Sequence, residues 1–155
     1  MKEGNACMNH IAEWLEGLRD RDNKRAYACL LHLLEESEIS EQISQYFDLF
    51  LELMNEKNSY LRTRGLLLFA ANVKWDKNGL VEQNIDCFLA HLEDEKPVVS
   101  RKCIQALPQI VQAKPKLRER ITAALQNAGQ SGYAESMASL IQRDIVEAFE
   151  KIGRI

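Results

Sequence analysis

Arg101-Lys102-Cys103-Ile104-Gln105-Ala106-Leu107-Pro108-Gln109-Ile110 sets Ile104, Leu107 and Ile110 three residues apart. That spacing brings apolar side chains onto one helix face. Slid toward the N-terminus, the frame falls on Arg62-x-x-Gly65-x-x-Leu68-x-x-Ala71, then on Arg25-x-x-Ala28-x-x-Leu31-x-x-Leu34. The steps are 39 residues (101 to 62) and 37 (62 to 25). A second helix repeats independently. Ile43, Phe47 and Leu51 fall on Val81, Ile85 and Leu89, then on Leu117, Ile121 and Leu125, with steps of 38 and 36 residues. Two helices recurring together about every 38 residues describe an array of hairpins, since a bundle gives no reason for such a period.

Outward from these copies the helical spacing continues. Ile11, Leu15 and Leu18 mark a helix before the array, and Met137 to Ile152 a long one after it. Breakers fall between the segments: Asn78-Gly79 is a turn dipeptide, Pro97 and Pro115 suit first-turn positions, and Ala128-Gly129-Gln130-Ser131-Gly132 is a loop. No alternating apolar-polar run predicts a strand.

Glu95-Lys96-Pro97-Val98-Val99-Ser100-Arg101 leading into Lys102 to Ile110 resembles the first helix of a HEAT repeat: acidic residue, Pro, apolar residue, Arg, then a small-apolar run. Leu61-Arg62-Thr63-Arg64-Gly65 repeats the core of that pattern without the Pro. The resemblance to HEAT-like and armadillo-type helical repeat proteins covers roughly residues 20–128. It implies an all-α fold, a right-handed α-α superhelix of about three helical hairpins. Their boundaries are expected at 22–57, 58–95 and 96–129, with capping helices at 6–20 and 131–152. The second helices, 39–56, 79–93 and 116–127, would line the concave surface. In resembling proteins the recurrent Arg pairs with acidic groups near the repeat junction, and Glu56 and Glu95 lie six residues before Arg62 and Arg101.

Composition limits the function. Nearly half of the 155 residues are apolar and 28% are charged, as in a folded globular chain. No stretch approaches the roughly 18 apolar residues that cross a bilayer, and the first twenty residues lack a signal core. The expectation is a cytoplasmic protein without a membrane partner. Neither G-x-S-x-G nor a Gly-rich phosphate loop occurs, so catalysis and cofactors are not expected. Cys7/His10, Cys29/His32 and Cys87/His91 each share a helix face, but lie on different helices with no further ligands nearby; a metal is not expected.

What remains is binding. Residues 1–57 carry a net charge of −6, 58–95 of −2 and 96–155 of +5. Polar positions recur in register along the second helices: Gln45, Asp48 and Glu52, then Gln83 and Asp86, then Glu119 and Thr122. The expected function is a non-enzymatic scaffold or adaptor whose partly acidic concave surface holds another protein or peptide, preferentially a basic one. The alternative is nucleic-acid binding related to HEAT-like DNA glycosylases. It would use a basic edge of Lys114, Lys116, Arg118 and Arg120, with Trp75-Asp76 as the nearest echo of that family's aromatic and acidic residues.

Overall fold

A computed structural model describes residues 2–128 and 132–155, with side chains from His10 onward. Among these residues the chain forms eight α-helices and no strand. They are α1 (Lys2–Gly17), α2 (Asn23–Ile39), α3 (Phe47–Met54), α4 (Ser59–Asn72), α5 (Leu80–Leu89), α6 (Pro97–Ala113), α7 (Arg118–Gln126) and α8 (Glu135–Gly153). Gly129 to Ser131 of the expected loop, and the Cys7 side chain, lie outside the described residues.

Local chemistry sets the helix starts. Asp22 accepts the amides of Lys24 and Arg25 at the head of α2, and Asn58 those of Tyr60 and Leu61 at the head of α4. Each cap satisfies donors that a helix terminus leaves unpaired. Pro97 opens α6, where its missing N–H is no loss. Gly79 enters α5 with φ +75°, a conformation that side chains resist. The second helices are shorter than expected because 3-10 turns flank them. Gln42–Tyr46 precedes α3, Ala90–Glu93 follows α5 and Pro115–Leu117 precedes α7. At the first turn the Ser40 hydroxyl oxygen accepts the Gln42 amide, and the Ser44 hydroxyl and the Gln45 amide bond back three residues, to the carbonyls of Glu41 and Gln42.

The even-numbered helices pack in series, α2 on α4, α4 on α6 and α6 on α8, while α1 lies on α2 and α3 on α4. Phe47, Phe69 and Phe88 join α3, α4 and α5 through successive ring contacts of 5.0 Å. Gly65 lets α4 approach α3: a Cβ there would sit 2.8 Å from the Phe50 carbonyl oxygen. The long side-chain ties between elements have a narrow reach in sequence. Trp75 Nε1 donates to the Ser37 carbonyl at 2.6 Å (38 residues apart), and the Lys114 ammonium meets Asp76 at 2.7 Å (again 38). Short ties join adjoining segments, as from Ser100 to the Leu92 carbonyl (8 residues) and from Cys103 to the Phe88 carbonyl (15); among the described residues the longer ones run from 32 residues, Arg62 to Asp94, to 46, Arg64 to Leu18.

The recurrent arginines divide. Arg62 forks onto Asp94 at 2.9 and 2.8 Å, and Arg101 reaches Asp144 at 2.7 Å. The acidic partner thus comes from the next even-numbered helix or the residues just before it. The Glu56 side chain turns to Arg19 instead, and Glu95 stands 3.8 Å from Arg62. Arg25 is exposed, with only Asp22 at 3.7 Å. The burial pattern explains the exception. Ala26, Leu30 and Leu33 point into the core, matching Arg64, Leu68 and Ala71 at a step of 38, one more than the arginine frame gives. Lys24, not Arg25, is therefore the counterpart of Arg62.

Candidate functional site

That one-residue step turns a second apolar face of α2 outward. Tyr27 and Leu31 are 58% and 42% exposed, and Leu34 is half-buried beside them. Tyr60 on α4 and Val98 on α6 are each 57% exposed. The five side chains line one cleft of about 480 Å³, floored by Leu30 and Leu67. It gathers the N-terminal halves of α2, α4 and α6, so the three helices run in the same sense.

The cleft's charged residues are Lys24, Arg64 and Lys102, with no carboxylate in its lining among the described residues. Arg64 is 6% exposed. Its guanidinium donates to the Leu18 carbonyl at 2.8 Å and to Asn23 Oδ1 at 3.2 Å, and stands 5.8 Å from the Tyr60 ring centre. Burial pulls its pKa below the usual arginine value, against a smaller raising effect from Tyr60. A buried cation held only by neutral oxygens and a ring leaves its charge uncompensated. Lys24 and Lys102 are exposed and have no ion pair among the described residues.

The residues expected to bind a partner lie on or just before α3, α5 and α7. Gln45 and Asp48 line a polar cleft of about 410 Å³ together with Glu41, Trp75 and Asn78. Asp86 lies in another, of about 240 Å³, paired with Arg120. Glu52 stands 3.8 Å from Arg19, and Gln83 is exposed. The Thr122 hydroxyl is turned back to the carbonyls of Arg118 and Glu119.

The four residues of the basic edge are engaged within the chain. Lys114 is nearly buried between Asp76 at 2.7 Å and Glu82 at 2.6 Å. Burial alone would lower its pKa, but the two carboxylates outweigh that and raise it. Lys116 lies 3.7 Å from Glu82, Arg118 donates to the Ile152 carbonyl at 3.0 Å, and Arg120 pairs with Asp86. Asp76 is a structural residue: besides Lys114 it accepts the amides of Asn78, Leu80 and Val81 at the entrance to α5. Among the described residues no three His, Cys, Asp or Glu converge as metal ligands, and no helix is long and apolar enough to cross a membrane. Cys29 is half-buried and Cys87 exposed; Cys103 is buried, which pushes its thiol pKa well up.

Only the polar clefts at Trp75 and Asp86 could have been foreseen from the polar positions in register. The apolar cleft was hidden because Leu31 and Leu34 fit the core frame as well as they fit the surface. Comparison with protein-family models, curated proteins and solved structures returned no match.

Proposed function

We propose that this chain is a non-enzymatic protein-binding adaptor, built of about three stacked HEAT-like hairpins with a cap at each end. Its principal contact surface is the apolar cleft across α2, α4 and α6. The observation that carries this is the grouping of Tyr27, Leu31, Tyr60 and Val98, all exposed, in one concavity. Interface cores are enriched in aromatic residues, and a few such anchors supply most binding energy. The serial packing of the even helices and the 32–46-residue reach of the longer ties support the stacked-hairpin reading.

The polar cleft holding Gln45 and Asp48 is the candidate for a secondary contact. Nucleic acid is the weaker alternative, because the charges on Lys114, Lys116 and Arg120 already face carboxylates. A phosphate binder needs such charges free. Elution from heparin in low salt is expected; retention into moderate salt would revive that alternative.

The direct test places a photo-crosslinking amino acid at position 31 in the native host, with position 126 as control. Partner proteins should be trapped from position 31 and lost when Tyr27 and Tyr60 are changed to Ser. Equal trapping from both positions, or none from position 31, would defeat the reading.

A further inference from the structure

We infer that the occupant of the apolar cleft is an acidic amphipathic α-helix of a partner protein, lying across α2, α4 and α6 with carboxylates at both of its ends. This deepens the adaptor reading and rests on it.

The occupant's secondary structure follows from what the cleft lacks. An extended peptide needs its amides and carbonyls paired by a strand edge or by side chains spaced along the groove, and the described residues contain no strand. Of the lining's polar groups, Thr63, Asn23 and Arg64 are already bonded within the chain, which leaves the tyrosine hydroxyls and the Lys24 and Lys102 ammonium groups, too few for a peptide backbone. A helix satisfies its own backbone and brings only side chains to the surface. Its length follows from spacing. Crossing from α2 to α6 covers two interaxial steps of about 8–10 Å, which a helix rising about 1.5 Å per residue spans in roughly 11–13 residues.

The sign of its charge follows from the lining. Lys24 stands on α2 and Lys102 on α6, on the two sides of α4, and neither has an ion pair among the described residues. Between them Arg64 holds a buried positive charge with no carboxylate against it. The three helices also turn their N-terminal ends, where the backbone dipole is positive, toward this region. The carboxylates at these helix starts are engaged within the chain: Asp20 accepts the Asp22 amide, Asp22 caps α2, and Glu95 lies toward Arg62. In a chain of net charge −3 this cleft is a local inversion, and an acidic ligand complements it.

The test is selection from a displayed library of amphipathic helices about 14 residues long, with fixed leucines on one face and every other position randomised. Recovered peptides are then measured by fluorescence anisotropy at low salt. They should be enriched in Asp and Glu toward both ends. Lys24→Glu combined with Lys102→Glu should weaken them about tenfold or more, the loss expected when two favourable charge contacts become repulsive. Leu31→Asp should abolish binding; its side chain is part-exposed, and circular dichroism verifies that the fold persists.

Peptides with neutral or basic ends, or unaffected by the lysine reversals yet lost in Leu31→Asp, would overturn the acidic-helix inference and leave the cleft as a docking site. Binders indifferent to Leu31→Asp, or no binders at all, would overturn both. Concentration-dependent dimerisation, or sedimentation with phosphatidylserine vesicles, that disappears in Leu31→Asp would assign the cleft to a second copy or to a lipid surface and overturn the inference.

Discussion

Asp94 is the residue on which most polar contacts converge. It accepts both arms of Arg62 and the Lys96 amide, meets His91 Nδ1 at 2.9 Å, and its carbonyl accepts the Tyr133 hydroxyl. Burial alone would raise its carboxyl pKa, but these hydrogen bonds, Arg62's foremost, hold it below the usual carboxylate value. A carboxyl depressed in the folded state stabilises fully above its unfolded pKa of about 3.9, and that contribution drains away as pH falls through the folded value. Asp94→Asn should therefore cost about 3–5 kcal/mol near neutral pH, leaving Arg62 buried without its counter-charge. It should also flatten the loss of stability below about pH 4. Urea unfolding across that range checks both. That Arg62 is a structural ion-pair residue was legible in its recurrence with Arg101; its partner was not, because Asp94 lies 32 residues away and Glu56 and Glu95 were nearer in sequence. Arg25 misled for a related reason. Lys24 sits beside it, and two adjacent cations leave the register of α2 undetermined by one residue.

The helices themselves were readable from apolar spacing and from breakers such as Pro97; the caps Asp22 and Asn58 came only with the structure. The 3-10 turns flanking α3, α5 and α7 were not, since apolar spacings of three suit either helix type. α2 was legible as a helix and not as a two-faced one. Leu30 and Leu33 are buried, Leu30 also flooring the cleft, while Leu31 is exposed and Leu34 half-buried along it, and adjacent leucines give no hint of which is which. The same element makes a sharp prediction. Leu31→Ser should change stability by less than about 0.5 kcal/mol, as surface substitutions do, whereas Leu33→Ala should cost about 2–5 kcal/mol. Thermal melts of the two variants decide it. On α4, Gly65→Ala gains about 1 kcal/mol of helix propensity but drives a methyl against the α3 backbone. Backbone cannot move aside cheaply, so a net loss of about 1–3 kcal/mol is expected in urea melts.

At the scale of the whole molecule, α8 closes one end. It buries Ile141, Ile145, Ala148 and Ile152, supplies Asp144 to Arg101, and packs chiefly on α6. Removing residues 134–155 should lower the melting temperature and speed hydrogen exchange in α6 and α7 first, while the α3–α4 pair, centred on fully buried Phe50 and Phe69, stays protected. Simultaneous loss of protection throughout would show one indivisible core in place of neighbour-by-neighbour stacking. The 46-residue limit on its side-chain ties also bears on the chain as it leaves the ribosome. A segment whose partners all lie within that distance finds them soon after it emerges, and synthesis proceeds at roughly 5–20 residues per second. The N-terminal helices can settle within seconds, while the last third of the message is still being read.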